Sequence, residues 1–194
     1  MKALPFLLLR AVAVCGILAT CTSGPERSLP TVTHVDLSRY AGKWYEAARL
    51  PNAFQRDDSN ATAEYSLLPG EKVRVVNTEY RPDGSTHVAE GTATAVADGS
   101  NSRLKVRFKG FAALAPVPKE GNYWIIRLES DYSAVMVGTP NRKYLWILSR
   151  QPHPPQAVME KYLHAAEVLE FDTGKLRRAK WETLPKRKPP TSSS

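Results

Sequence analysis

The stretch Ala41–Phe54 reads AGKWYEAARLPNAF: a glycine and a tryptophan lead into a strand, six residues follow without clean polar and apolar alternation, and a proline ends it. Alone it does not specify a fold. Downstream of it, strand-like runs recur at Thr62–Leu68, Lys72–Tyr80, Thr86–Val96, Arg103–Lys109, Asn122–Glu129, Ala134–Gly138 and Lys143–Arg150. They are separated by turn-rich segments such as LPGE, RPDGS, ADGSNS and TPNR. With Lys43–Arg49 these make eight strands in sequence. Connections this short favour an antiparallel meander over parallel strands, which need long crossovers.

The period changes only after the eighth run. Val158, Tyr162, Ala165, Ala166 and Leu169 fall on one face of a helix whose first turn holds Pro154 and Pro155. The segment KLRRAKW adds a candidate last short strand. One helix does not cover two faces of an open sheet, so the expected fold is an all-β, eight-stranded antiparallel up-and-down barrel with one C-terminal helix outside. Closure removes the exposed edges. Alternate positions within the strands then point inward: Ala63 and Tyr65; Val73, Val75, Asn77 and Glu79; Ala89, Gly91 and Ala93; Leu104, Val106 and Phe108; Tyr123 and Ile125; Tyr144, Trp146 and Leu148. Arg74, Lys105 and Arg107 fall on the opposite face, toward water. Several inward residues are small, and eight strands with such a lining leave room for one ligand.

The two ends of the chain speak to location. Lys2 precedes an apolar run from Ala3 to Ala19, broken by Pro5 and Arg10, which reads as an export signal over residues 1–20. It closes on LATC, Leu18 to Cys21, which resembles the bacterial lipobox, with Thr20 where a smaller residue is usual. That resemblance implies lipidation at Cys21, a membrane anchor and an outer-membrane destination on the periplasmic side, because Thr22 is not the aspartate of the retention signal. Cleavage to a soluble periplasmic or secreted protein is the alternative. A linker over 21–34, one domain over 35–184 and a basic, Ser-rich tail over 185–194 complete the organisation. The cysteines, Cys15 and Cys21, both fall in the leader region, so the domain's stability rests on packing rather than an internal disulfide. The net charge of +8 is spread along the chain apart from Lys186–Lys188, with no basic helix or aromatic row, so nucleic acid is not an expected partner.

The opening stretch, together with TAEYSL, VRVVNTEYRPDG, EGTATA, YWIIRLESDYSAVMVGTP and YLWILSR, resembles the lipocalins, in the form seen in the bacterial lipoprotein lipocalins and their apolipoprotein D relatives. The likeness runs in family order from Val35 to Leu176. It implies a calyx closed at one end, with Trp44 as the plug stacked beneath Arg150, Gly42 letting the chain pass close below, and the segment through Pro51 and Phe54 as a lid loop. Relatives often tie that loop with cysteines. Here Asp58 and Thr78 stand in those regions, so a less tethered loop is expected.

The resemblance implies a carrier of an apolar molecule such as a fatty acid or lysophospholipid, acting as monomer or homodimer. By likeness to apolipoprotein D, Tyr65, Asn77 and Trp146 are the candidate ligand contacts. Strand parity adds Val75, Val106, Phe108, Tyr123 and Leu148. For any one of these, packed core is the competing assignment. Gly-x-Ser-x-Gly, His-Glu-x-x-His and a phosphate loop are all absent from the sequence, and His34, His87, His153 and His164 lack ligand spacing. No catalytic residue, metal or cofactor is therefore expected. A structural envelope lipoprotein is the alternative, and a lipocalin-type enzyme a weaker one.

Overall fold

The computed structural model describes residues 28–110 and 116–183. A short helix α1 (Leu37–Tyr40) is followed by β1 (Gly42–Arg49), β2 (Asn60–Leu68), β3 (Lys72–Tyr80), β4 (Thr86–Ala95) and β5 (Arg103–Phe108). Then come β6 (Tyr123–Leu128), β7 (Ala134–Gly138), β8 (Leu145–Ser149), the helix α2 (Gln156–Val168) and a two-residue strand β9 (Arg177–Arg178). Every pairing is antiparallel, β2 to β8 pair in chain order, and β1 pairs with both β8 and β2, which closes the barrel. The expected eight-stranded meander with an outer helix is the fold observed.

Closure is not uniform along β1. Its first half pairs with β2 from Gly42↔Tyr65 to Tyr45↔Thr62, whereas its second half pairs with β9 through Ala48↔Arg178 and Arg49↔Arg177. The C-terminal segment is thus a strap over the seam. Ala179 N–H donates to Ala47 O at 3.0 Å, Trp181 Nε1 to Glu46 O at 2.9 Å, and Lys180 N–H to Asn60 Oδ1 at 3.0 Å. Edge groups that β2 leaves unpaired are satisfied here.

The β5–β6 seam is also short, with only Arg103↔Trp124 and Leu104↔Tyr123 in register. Expected as the first residue of the sixth strand, Asn122 instead uses its side chain as a strand partner. Its Oδ1 accepts from Val106 N–H at 2.8 Å and its Nδ2 donates to Val106 O at 3.0 Å. Likewise Tyr144 and Arg150 lie just outside β8.

Two apolar clusters divide the sheet. Inside the barrel Ala63, Tyr65, Val73, Val75, Ala93, Leu104, Val106, Ile125 and Leu148 pack around Trp44 and Tyr40. Gly91 lets β4 and β5 approach: a Cβ there would lie 2.5 Å from Arg107 O. Outside, Trp124, Ile126, Met136, Leu145 and Ile147 receive Met159, Tyr162, Ala165 and Ala166 of α2. This second cluster explains why β7 is buried along its whole length. Tyr162 completes it by donating from its hydroxyl to Ala134 O at 3.0 Å.

The segment before α1 also packs on the barrel. Leu29 is buried, Val32 N–H donates to Ile125 O at 3.0 Å, and Val35 is part of the inner cluster. Residues 28–34 of the expected linker therefore belong to the folded body. The leader, Cys21 and the tail beyond residue 183 lie outside the described residues.

Candidate ligand-binding cup

The closed end is built from the entry stretch. Gly42 has φ +93°, a conformation that side chains rarely adopt, and a Cβ there would sit 3.3 Å from Arg150 Nη1. That turn drops Trp44 into the axis, where it is fully buried and donates from Nε1 to Tyr40 O at 2.8 Å. The Arg150 guanidinium lies over the indole at 3.9 Å from the ring centroid. It also donates to the carbonyls of Lys43 at 3.0 Å, Arg39 at 2.7 Å, Tyr40 at 3.2 Å and Tyr132 at 3.2 Å. One cation thus gathers four loose backbone acceptors and caps the indole face.

Above the indole three phenols form a chain. The Tyr40 and Tyr123 hydroxyl oxygens are 2.7 Å apart, and those of Tyr65 and Tyr123 are 2.8 Å apart. Burial pushes the Tyr65 hydroxyl up to about 12 and raises those of Tyr40 and Tyr123 as well, so all three stay neutral. Tyr65 and Tyr123, both expected ligand contacts, are engaged with each other at the cup floor.

Of the other expected contacts, Val75, Val106 and Leu148 are buried in the inner cluster, while Asn77, Phe108 and Trp146 are half-buried. Trp146 stacks with Tyr144 at 6.0 Å and with Phe54 of the first loop at 6.3 Å, and Phe54 itself is 62 % exposed. These rings form an aromatic rim at the open end. Asn77 Oδ1 is buried without a hydrogen-bond partner.

The sequence reading missed Glu46 and Arg49. Glu46 sits two residues after Trp44 and pairs with the inward-facing Leu148. A bulge between Glu46 and Ala48 then shifts the register so that Arg49 lies opposite Trp146. That bulge explains the missing alternation in the opening stretch: both charges turn inward and both alanines pack beneath α2. Glu46 is 3 % exposed and Arg49 0 %. Arg49 Nε lies 3.3 Å from Glu46 Oε1, close enough for coulombic attraction but with the N–H not aimed at the oxygen. Burial, opposed by the Arg49 charge, pushes the Glu46 carboxyl up to about 7.

The first loop roofs this pair. Gln55 Nε2 donates to Glu46 Oε1 at 3.3 Å, and Arg49 Nη2 donates to Arg56 O. The first loop has no covalent tie, as expected from the sequence, and Glu79 of β3 holds it by hydrogen bonds instead. Its Oε1 accepts from Arg56 N–H at 2.8 Å and from the Ser59 hydroxyl at 2.8 Å. Burial raises the Glu79 carboxyl, but these bonds and Arg81 outweigh it and hold it below the ordinary value. Polar contacts tie the loop in place of a covalent bridge.

The lipocalin-like domain family matches residues 35–181. The chain belongs to the lipocalins. Outer membrane lipoprotein Blc of Escherichia coli K12 is 36 % identical over 176 residues, covering 90 % of this lipocalin and 95 % of that protein. Its counterpart in Vibrio cholerae serotype O1 is 35 % identical over 165 residues, covering 84 % and 92 %. Among solved structures, insecticyanin of the tobacco hornworm Manduca sexta superposes with a TM-score of 0.57 at 20 % identity, covering 78 % of this chain and 84 % of that one. At that identity the likeness speaks to the fold.

Proposed function

We propose that this lipocalin binds, stores or transports a small hydrophobic ligand, a fatty acid, lysophospholipid or similar lipid, inside the barrel at the cell envelope. The observation that carries the reading is the graded lining of one closed-bottomed cup. Val75, Val106 and Leu148 form an apolar wall above the plugged floor, and the half-buried Phe108 and Trp146 lead from it to the rim. Each methylene buried there contributes about 0.8 kcal/mol, so roughly ten carbons support micromolar binding without a polar contact. The reading is binding without chemistry. The hydroxyls that face the cup are neutral and bonded to one another rather than to a base.

The relatives named outer membrane lipoproteins support an envelope location, with Cys21 as the lipidated anchor. Replacing Cys21 by Ala should release the protein from the membrane fraction. Organic extraction of the folded protein followed by mass spectrometry tests the function: about one lipid per chain is expected, and a folded protein that yields none and takes up none favours a purely structural envelope role.

A further inference from the structure

A carrier of purely apolar cargo has no use for a buried ion pair, and this cup has one. Glu46 and Arg49 are both more than nine-tenths buried, they face inward from β1, and each keeps polar atoms without a hydrogen-bond partner: Oε2 on Glu46, Nε and Nη1 on Arg49. Removing two charges from water costs more than an imperfect contact returns, so a pair with three unused sites is a poor structural element. It is a good receptor for a third polar group. Trp146 lies opposite Arg49 across the β1–β8 ladder and Leu148 opposite Glu46, which puts the pair beside the apolar wall.

We propose that Arg49 and Glu46 form the head-group subsite of the cup, selecting amphiphiles with an anionic carboxylate head over neutral ones of equal chain length. The inference rests on the carrier reading and adds the polar end of the ligand to it. The guanidinium keeps Nη1, which makes no hydrogen bond, as a charge-assisted donor to an oxygen of a carboxylate. The chain then lies against Leu148, Val106 and the rim of Trp146. Charge balance follows if Glu46 takes a proton from solvent as the ligand enters, because two carboxylates beside one guanidinium do not both stay ionised in a dry site. Burial has already moved Glu46 in that direction. The other charged groups around the pair have partners of their own: Glu79 faces Arg81 at 3.0 Å and Asp57, 3.9 Å from Arg49 Nη1, faces Arg177 at 3.3 Å.

The test compares hexadecanoic acid with hexadecan-1-ol by competition against a fluorescent probe, using wild type and the double variant Glu46→Gln/Arg49→Gln, which removes both charges together. Wild type should prefer the acid by about tenfold or more, as for loss of a charge-assisted hydrogen bond, and the double variant should lose that preference while binding the alcohol as before. Equal binding of acid and alcohol by wild type, or an unchanged preference in the double variant, overturns the subsite but leaves the carrier intact. Binding of neither by wild type overturns both. A second measurement needs no variant. The carboxyl carbon-13 resonance of labelled hexadecanoic acid bound to wild type should stay in its ionised position down to about pH 4. Titration like a solvent-exposed acid overturns the subsite.

Discussion

Arg150 and Trp44 are locked face to face, the guanidinium carbon 3.9 Å from the indole centroid. The contact caps the end of the barrel where β1 begins. Trp44→Ala should cost about 3 to 5 kcal/mol of stability, as for a fully buried large aromatic. Combined with Arg150→Met, it should show a coupling of about 0.5 to 2 kcal/mol in a double-mutant cycle of denaturant melts. Unchanged melting of Trp44→Ala contradicts the plug.

Tyr123 is the centre of the phenol chain, and its loss should matter more than that of either end. Tyr123→Phe strips a partner from both Tyr40 and Tyr65 and should cost about 1 to 3 kcal/mol, whereas Tyr65→Phe should cost about 0.5 to 1.5 kcal/mol. Urea titration of both variants checks the order. Equal costs contradict a chain centred on Tyr123.

The side chain of Asn122 stands in for a missing ladder rung. Asn122→Ala should speed hydrogen exchange at the Val106 amide by tenfold or more and leave amides in the long β3–β4 ladder unchanged, because it removes the two bonds to Val106. Unchanged exchange at Val106 refutes the assignment.

Glu46 predicts an unusual pH profile. Its folded value, about 7, lies above the ordinary carboxylate value, so the folded state holds the proton more tightly than the unfolded chain. The contribution is greatest below about pH 4.5, falls as the pH rises, and is gone above about 7. Stability should therefore decline between these limits relative to Glu46→Gln, whose profile lacks this slope. Parallel slopes for the two proteins, measured by chemical denaturation, contradict it.

Much of this architecture was legible in the sequence because period and turn chemistry are local. Tyr65, Val75 and Val106 were placed on the inner face by alternation alone, and α2 by its apolar spacing. What the sequence hid depends on register. The bulge after Glu46 reverses parity with no glycine or proline to announce it, so plain alternation does not bring Glu46 and Arg49 to one face. The strap over β1 was visible only as a candidate strand, since its partner is set by how far β2 diverges. Glu79 was placed inward by parity. Its grip on the first loop comes from a backbone N–H and a serine hydroxyl some 20 residues away, and no spacing rule encodes that.

The central claim is that the ligand lies inside the cup, and tryptophan emission tests it most directly. Titrating wild type with a fluorescent polyene fatty acid should quench the indoles by energy transfer and saturate at about one ligand per barrel. Trp146→Ala should bind more weakly. Val106→Asp, which puts an unpaired charge on the apolar wall, should bind weaker still, and Arg74→Gln on the exposed face should match wild type. If all four proteins are folded and bind equally well, the ligand is not in the barrel and the account fails.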